Sequence, residues 1–365
     1  RAMAFAHRQF VLFLCLACAE AVPSFGTNLE TDEVTHQWVF QTNASWVYTH
    51  MSTITNLDDD GKELLVAFQA SGVGEGNKDQ HILGARSSDG GSTWGAAFVL
   101  VPPYLGQYPV WGPVLQRHEN GTIYLFYSRS GAFNDREDNR NFPGGDILVA
   151  TTSADLSQPW THTEILKFTD RGNISKVTAN KPAVLRSGRW ILPIWREAHT
   201  ANDTGTSCAS TIISDDGGAS FQGSDVCLHN NETWLIENAV ADSPAGLVMV
   251  FRSTSGFIWE STSQNNGDTW TVAEPTTLPN PNSKVCMYLS KTADQLVVTY
   301  NPSATSRSPL AMASSSRGSS WTEDKTLVDT GVSEYPTSLQ IGDTVLTTYS
   351  ADTKKGIKLA FASPP

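Results

Sequence analysis

The apolar positions of this chain fall in short runs separated by turn signals. Each unit has an apolar run, a turn and a second apolar run, as in GPVLQRHENGTIYLFYSRS from Gly112. The runs are rich in β-branched and aromatic residues, and no segment longer than a turn keeps a helical period. The pattern therefore predicts an all-β chain built from one repeated hairpin. Six units begin at Ser52, Gly112, Lys181, Asn238, Met287 and Pro336.

A second repeat, Ser-x-Asp-x-Gly-x-Thr-Trp, lies between these hairpins. Its first copy is SSDGGSTW, from Ser87 to Trp94. In such an Asp-box hairpin the polar side chains cap the turn, the glycine takes a conformation that other residues resist, and the aromatic ring packs beneath. Copies about 50 to 65 residues apart predict radial repetition of a four-stranded unit, a six-bladed β-propeller. The other copies are SADLSQPW from Ser153, SDDGGASF from Ser214, SQNNGDTW from Ser263 and SSSRGSSW from Ser314.

A propeller of this kind must also close. We expect a strand near residues 36–40, HQWVF, to complete the last blade, because closure removes exposed sheet edges. A chain of 365 residues could form two average domains, but one large propeller over residues 22–365 fits the repeats better.

The N-terminal segment has the pattern of a secretory signal peptide. His7 and Arg8 precede an apolar run, residues 10–19, that is too short for an ordinary membrane span, and small residues follow it. We expect residues 1–21 to be removed from a secreted or lumenal protein that keeps no membrane span; an uncleaved anchor is the alternative. Five glycosylation sequons fit secretion, at Asn43, Asn120, Asn173, Asn202 and Asn231.

Three cysteines remain once this segment is removed. Cys208 and Cys227 flank the box SDDGGASF and could face each other across its hairpin, so we predict a disulfide there. Cys286 is left over, and we interpret it as a buried apolar residue rather than a nucleophile.

Composition argues against several classes of function. The net charge of -12 does not suit a broad nucleic-acid-binding surface, which needs a basic face. The eight histidines are scattered, and no Cys/His cluster has the spacing of metal ligands. The glycine-rich stretch GVGEG, residues 72–76, lacks the Lys-Ser/Thr tail of a phosphate-binding loop. We therefore predict no metal and no cofactor, and the sequence indicates no oligomeric state.

The starts of the inner strands of a propeller converge on its axis and should line one funnel. A funnel with Glu, Tyr and several Arg or Lys residues suits an acidic sugar, because the arginine fork matches a carboxylate in shape and charge. The inner-strand starts supply His50, Trp111, Lys181, Glu237, residues 282–284 and Tyr335, and the ends of the second strands supply Arg129, Arg196 and Arg252.

The boxes and their blade order, with stretches such as NKPAVLRSGRWILPIW and TTLPNPNSK, resemble the BNR-repeat branch of the sialidase (neuraminidase) superfamily. The resemblance covers residues 45–362, nearly the whole chain after the signal peptide. It implies a tyrosine nucleophile activated by a glutamate, an acid/base aspartate and three arginines that hold the sugar carboxylate. A neutral phenol suits an anomeric carbon that carries a carboxylate, but its pKa near 10 demands an adjacent base.

On this resemblance Tyr335, in EYPTSL, matches the nucleophile, and Glu237 matches the glutamate that activates it. Arg252 follows Glu237 by 15 residues and Arg307 precedes Tyr335 by 28, which matches two of the three arginines. The remaining predicted substrate-binding residues are Lys181, Trp111 and Arg196.

Two positions depart from the family pattern. His50, in YTHM, stands where the first arginine is expected, so it would have to be protonated to hold a carboxylate. Glu75 stands where the acid/base aspartate is expected, and Asp79 is its nearby competitor. Glutamate preserves the acid/base chemistry but lengthens the side chain by one methylene.

The leading interpretation is a secreted retaining exo-glycosidase that hydrolyses a terminal acidic sugar, sialic acid or a related one. A lyase for uronate polysaccharides is the first alternative, with His50, His81 or Tyr335 as the base. A non-catalytic glycan-binding propeller is the second, because the boxes also occur in proteins without activity. All three interpretations predict a glycan or polysaccharide as the partner.

Overall fold

A computed structural model describes residues 33–201, 203–318 and 320–365. The predicted signal peptide and the sequon at Asn202 lie outside these residues. From Val34 onward the described chain forms 25 β-strands and one 3-10 turn, Ala132–Asn134. Among the described residues no helix is long and apolar enough to cross a membrane. The all-β prediction is confirmed.

The strands form six sheets, which we number as blades in chain order. Strand β1 (Thr35–Gln41) precedes the first blade. The strands of blade 1 are β2 (Tyr48–Asn56), β3 (Leu64–Ser71), β4 (His81–Ser87) and β5 (Phe98–Val101). Those of blade 2 are β6 (Val110–Arg117), β7 (Thr122–Arg129), β8 (Asp146–Ser153) and β9 (Thr161–Leu166). Those of blade 3 are β10 (Ser175–Thr178), β11 (Ala183–Val184), β12 (Trp190–Glu197), β13 (Cys208–Ser214) and β14 (Gln222–Gly223).

The second half of the chain repeats the same antiparallel order. Blade 4 consists of β15 (Ile236–Ser243), β16 (Gly246–Arg252), β17 (Phe257–Ser263) and β18 (Glu274–Pro279). Blade 5 consists of β19 (Cys286–Leu289), β20 (Leu296–Tyr300), β21 (Leu310–Ser315) and β22 (Thr322–Val328). Blade 6 contains β23 (Ser333–Ile341), β24 (Thr344–Ala351) and β25 (Gly356–Ala362).

The blades form a closed ring. The inner strands of neighbouring blades are in contact, and β23 of blade 6 contacts β2 of blade 1. Strand β1 pairs antiparallel with β25 and supplies the outer strand of blade 6. The six-bladed propeller and its closure by the strand around His36 are therefore confirmed. Pairing of the first and last strands leaves β25 without a free edge.

The Asp boxes cap the turns between the third and fourth strands. In the first box Asp89 Oδ1 accepts hydrogen bonds from the Ser87 hydroxyl and the Thr93 amide, both at 2.8 Å. The Trp94 indole donates to the carbonyl of Gly91 at 3.1 Å. Asp216 accepts the corresponding hydrogen bonds from the Ser214 hydroxyl and the Ser220 amide. Its hydrogen bonds with Ser220 and Ser214 lower the pKa of Asp216 to about 2. The short polar side chains thus satisfy the turn backbone that the sheet leaves open.

Strand register separates two faces of the ring. In blade 1 Tyr48 pairs with Ser71 and Ala70 with His81, so the β3–β4 loop lies at the end where the inner strand begins. Ser87, which opens the Asp box, pairs with Leu64 at the opposite end. We call the end that carries the inner-strand starts the funnel face. The boxes therefore lie on the other face and are structural.

Apolar side chains fill the spaces between blades, and a disulfide reinforces blade 3. Leu65 and Ala67 of blade 1 pack with Leu115 and Leu125 of blade 2 in one buried cluster. Cys208 and Cys227 are bonded, with their Cα atoms 5.2 Å apart. Cys286 is a buried free thiol.

Candidate active site

A β-bulge interrupts the inner strand at the funnel face in four of the blades. The strand registers shift between His50 and Thr53, Trp111 and Val114, Ile236 and Ala239, and Glu334 and Thr337. The residues in these bulges take left-handed conformations, with φ of 49° at Glu237 and 59° at Tyr335. Such conformations cost free energy in residues other than glycine, and a bulge changes the direction in which a side chain points. The bulges bring Glu237 and Tyr335 to the axis from different blades.

Tyr335, Glu237 and Arg252 form a compact triangle. The Tyr335 hydroxyl donates to Glu237 Oε1 at 2.8 Å, and Arg252 Nη1 donates to the same oxygen at 2.9 Å. Arg252 Nη1 also lies 2.5 Å from the Tyr335 hydroxyl oxygen. Tyr335 is 6% exposed and Glu237 4%. The sequence-predicted nucleophile, base and arginine therefore share one hydrogen-bonded cluster.

Burial and charge set the protonation states of this cluster. Burial raises the pKa of Tyr335 well above its ordinary value, while the charges of Arg252 and Arg307 oppose that rise. Burial is the largest single influence on the pKa of Arg252 and lowers it, but the electrostatic interactions with Glu237 and Tyr335 and the hydrogen bond to Glu237 together raise this pKa above its ordinary value. The resting tyrosine is thus a neutral phenol beside a carboxylate that can take its proton. Glu237 Oε2 is buried and has no hydrogen-bond partner among the residues that the structure describes.

Arg307 approaches the other side of Tyr335. Its guanidinium carbon lies 5.4 Å from the centre of the tyrosine ring. Arg307 Nη2 donates to the carbonyl of Asn282 at 2.7 Å, and its Nη1 pairs with Glu334. The amide oxygen of Asn282 in turn accepts from Arg252 Nε at 2.7 Å. The 280–285 loop therefore holds both arginines beside the tyrosine.

Glu75 lies on the same face, in the β3–β4 loop of blade 1. Its Oε2 accepts a hydrogen bond from Lys354 Nζ at 2.6 Å, and 41% of its side chain is exposed. Burial, and to a smaller extent the negative charge of Glu75, raises the pKa of Tyr48 well above its ordinary value. The same charge contributes to the raised pKa of Tyr335, so both groups belong to one site.

His50 occupies a buried position against Tyr335. Its ring centre lies 4.0 Å from that of Tyr335, and its Nδ1 is 2.9 Å from the Ser350 hydroxyl. Burial first, and then the charges of Lys354 and Arg307, hold the pKa of His50 well below 6.5. This direction opposes the expectation of a protonated His50 that holds a carboxylate. A histidine surrounded by cations remains neutral at physiological pH.

The other predicted residues make structural contacts. Asp79 accepts from the Ser71 hydroxyl at 2.6 Å and from the Gly72 amide at 2.7 Å, so it shapes the Glu75 loop. The Trp111 indole donates to the Ser130 hydroxyl at 2.8 Å. The buried Arg196 donates to the Ser210 hydroxyl at 3.0 Å, and these contacts do not bring it to the Tyr335 cluster.

Lys181 contacts the inner strand of the neighbouring blade 2 rather than the Tyr335 cluster. Its Nζ donates to the carbonyl of Leu115 at 2.9 Å, and burial lowers its pKa to about 8. Lys284, in the corresponding place of blade 5, donates to the carbonyl of Pro336 at 2.5 Å and has the same lowered pKa. These two lysines tie neighbouring inner strands together.

Sequence reasoning missed Tyr48, Lys354 and Glu334. Tyr48 is the first residue of the first inner strand, two residues before His50, so the expectation that inner-strand starts line the funnel also covers it. Lys354 lies in the β24–β25 turn, outside the inner-strand starts and the second-strand ends from which the predicted cations come. The blade repeat could have identified it as a residue of the funnel face.

The sequence matches a family of proteins with the same kind of repeat. A sequence profile of the BNR repeat-like domain matches residues 62–347. The chain belongs to this family. No curated protein matches its sequence significantly.

Solved structures with the same propeller include sialidases. A protein of unknown function from Dyadobacter fermentans is similar at a TM-score of 0.72 and 15% identity, over 91% of this chain and 99% of that one. The NanB sialidase of Streptococcus pneumoniae, as its K499G mutant, gives 0.69 and 12%, over 89% and 70%. Trypanosoma rangeli sialidase gives 0.69 and 14%, over 90% of this chain but 59% of its own. At these identities the likeness establishes the fold alone.

Proposed function

We propose that this protein is a retaining exo-glycosidase of the sialidase type that hydrolyses a terminal acidic sugar. The observation that carries the proposal is the hydrogen-bonded triangle of Tyr335, Glu237 and Arg252. A tyrosine with a raised pKa is a poor nucleophile alone, and a carboxylate at 2.8 Å is the base it needs. The sialidase structures that share the fold support this assignment.

In the proposed first step the Tyr335 oxygen attacks the anomeric carbon and its proton passes to Glu237. The bond to the leaving oxygen breaks, and that oxygen takes a proton from Glu75. Arg252 stabilises the negative charge that develops on the tyrosine oxygen, which is worth most in a site that excludes water. Water then attacks the anomeric carbon and gives a proton to Glu75, while the bond to Tyr335 breaks and Glu237 returns its proton to the tyrosine oxygen. Each of the two substitutions inverts the configuration of the anomeric carbon, so the two together retain it.

The test is release of free sugar from a panel of sialosides and of glycans ending in other acidic sugars. The parent protein is expected to release one of them, and Tyr335→Phe to lose turnover by several orders of magnitude while keeping affinity, because only the hydroxyl is removed. Tyr349→Phe is the matched control, since Tyr349 is a buried tyrosine of blade 6 outside the cluster. Full activity of Tyr335→Phe would exclude the covalent mechanism.

A uronate lyase is the second candidate because of His50. A neutral imidazole beside Tyr335 can accept a proton, which a cationic one cannot. A lyase would release an unsaturated product that absorbs in the ultraviolet, whereas hydrolysis would not. Binding without either product would instead favour the glycan-binding propeller.

A further inference from the structure

The family resemblance implies three arginines around the sugar carboxylate, and the candidate site has arginines at two of these positions. Arg252 is held by Glu237, and Arg307 is paired with Glu334. The third expected position carries His50, which is neutral and 1% exposed. A third positive charge must therefore come from another residue if the site holds a carboxylate with three cations.

Lys354 is a cation close to His50, which stands where the first arginine is expected. Its carbonyl accepts hydrogen bonds from the amide of Thr49 at 3.0 Å and from its hydroxyl at 3.4 Å, so its backbone lies against the residue before His50. Its ammonium group lies 5.7 Å from the centre of the Tyr48 ring. Among the charged groups, Lys354 makes the largest contribution to the lowered pKa of His50.

The turn that carries Lys354 has an unusual backbone conformation. Asp352, Thr353 and Lys354 have φ of 52°, 60° and 66°, three consecutive left-handed residues without a glycine. Such conformations cost free energy and persist where surrounding contacts enforce them, often at functional sites. The Asp352 amide donates to the carbonyl of Val332 at 3.0 Å, and the Thr42 amide donates to that of Lys355 at 3.1 Å. The side chain of Lys354 is 24% exposed, so a ligand can reach it.

We propose that Lys354 is a specificity-determining residue that binds the carboxylate of the substrate in place of the missing arginine. In the structure Glu75 is its counterion, and an incoming carboxylate would take over this role. The negative charge of Glu75 also contributes to the raised pKa of Tyr48, Tyr335 and Arg140. The exchange would free Glu75 from its ion pair for acid/base work. This inference rests on the proposed function insofar as it takes an acidic sugar as the ligand.

Binding measurements by calorimetry test the role of Lys354 without requiring turnover. The probes are sialic acid, glucuronic acid and a carboxyl-reduced sialic acid in which an alcohol replaces the carboxylate. Lys354→Met is expected to weaken binding of the acidic probe about 10- to 100-fold, because a charge-assisted hydrogen bond is lost. Lys354→Arg should stay within a few-fold of the parent. Binding of the reduced probe should be insensitive to these changes.

Lys355→Met is the matched control, since it removes the same charge from the exposed neighbouring side chain. It is expected to change affinity less than two-fold. Thermal unfolding of each variant shows whether the loop is intact. Equal affinity of Lys354→Met and the parent for the acidic probe would overturn the proposed role of Lys354 and leave the glycosidase proposal standing.

A second background separates binding of the substrate from positioning of Glu75. In Glu75→Gln the counterion is gone, so a lysine that acts only through Glu75 has nothing left to do. If Lys354 binds the carboxylate, adding Lys354→Met to Glu75→Gln still lowers affinity for the acidic probe. No further loss in the double variant overturns the inference. Binding by the parent without sugar release defeats hydrolysis alone, whereas no binding of either acidic probe defeats both proposals.

Discussion

At the scale of single residues, Glu237 is the proposed base and also the counterion of Arg252. Its carboxylate accepts hydrogen bonds from the Tyr335 hydroxyl and from the buried Arg252. Glu237→Gln keeps the shape but removes the base and the counterion. We expect turnover to fall about 10²- to 10⁴-fold and the free energy of unfolding to fall by about 3 kcal/mol, because Arg252 becomes an unpaired buried charge. Sugar-release kinetics and urea unfolding measure the two effects, with the exposed Glu232→Gln as control. Unchanged stability would contradict the buried pair.

His50 should make stability depend on pH. Its pKa in the folded protein lies well below 6.5, so below about pH 6.5 the unfolded chain binds a proton that the folded protein does not. The free energy of unfolding should therefore decrease as pH falls from 7 to 5, and the slope from this group approaches about 1.4 kcal/mol per pH unit below pH 6.5. In urea unfolding at pH 5, 6 and 7, His50→Gln should flatten the slope, and the exposed His229→Gln should not. His36 and His162, whose pKa values burial also lowers, keep some slope in both. An unaltered slope in His50→Gln would show that His50 is not buried neutral.

At the scale of elements, the bulges explain why site residues were easier to identify than their contacts. Residues at inner-strand starts could be listed from the repeats, but alternation along a strand does not tell which way a side chain points once a bulge intervenes. Glu237 and Tyr335 lie in bulges and meet, whereas Trp111 turns to Ser130. Arg196 ends a second strand just as Arg252 does, yet its serine neighbours in blade 3 hold it away from the cluster.

The Asp-box turn offers a stability test of its own. Gly91 has φ of 92°, and a Cβ there would lie 2.7 Å from Leu359 Cδ2 of blade 6. Gly121 has φ of 86° with nothing within 4 Å. Gly121→Ala should cost about 1 kcal/mol of unfolding free energy from backbone strain, and Gly91→Ala about 1–3 kcal/mol more from overpacking. Denaturant unfolding of both variants measures the difference. Equal costs would mean that the box does not pack tightly against blade 6.

At the scale of the whole molecule, the fold was predictable because the signal repeats. Each box and hairpin is weak evidence alone, but five boxes and six hairpins in register leave few architectures. The pairing of Lys354 with Glu75 was not predictable, because it joins loops of blade 6 and blade 1 that are 279 residues apart in the chain. Such contacts exist only once the ring has closed. The funnel therefore depends on the same closure that completes the last blade.

Closure itself can be tested by removing the strand that completes blade 6. A variant beginning at Val34 keeps β1, and a variant beginning at Thr42 lacks it. Without β1, strand β25 exposes its backbone hydrogen-bonding groups, and Val39 leaves the buried cluster it shares with Ile357 and Leu359. We expect the shorter variant to unfold at a lower temperature and to associate through the free edge as its concentration rises. Scanning calorimetry and size-exclusion chromatography at two concentrations compare the variants. Because Lys354 lies in the turn that leads into β25, the shorter variant should also lose affinity for an acidic sugar. Equal stability and equal mass of the two variants would show that the ring holds without its first strand.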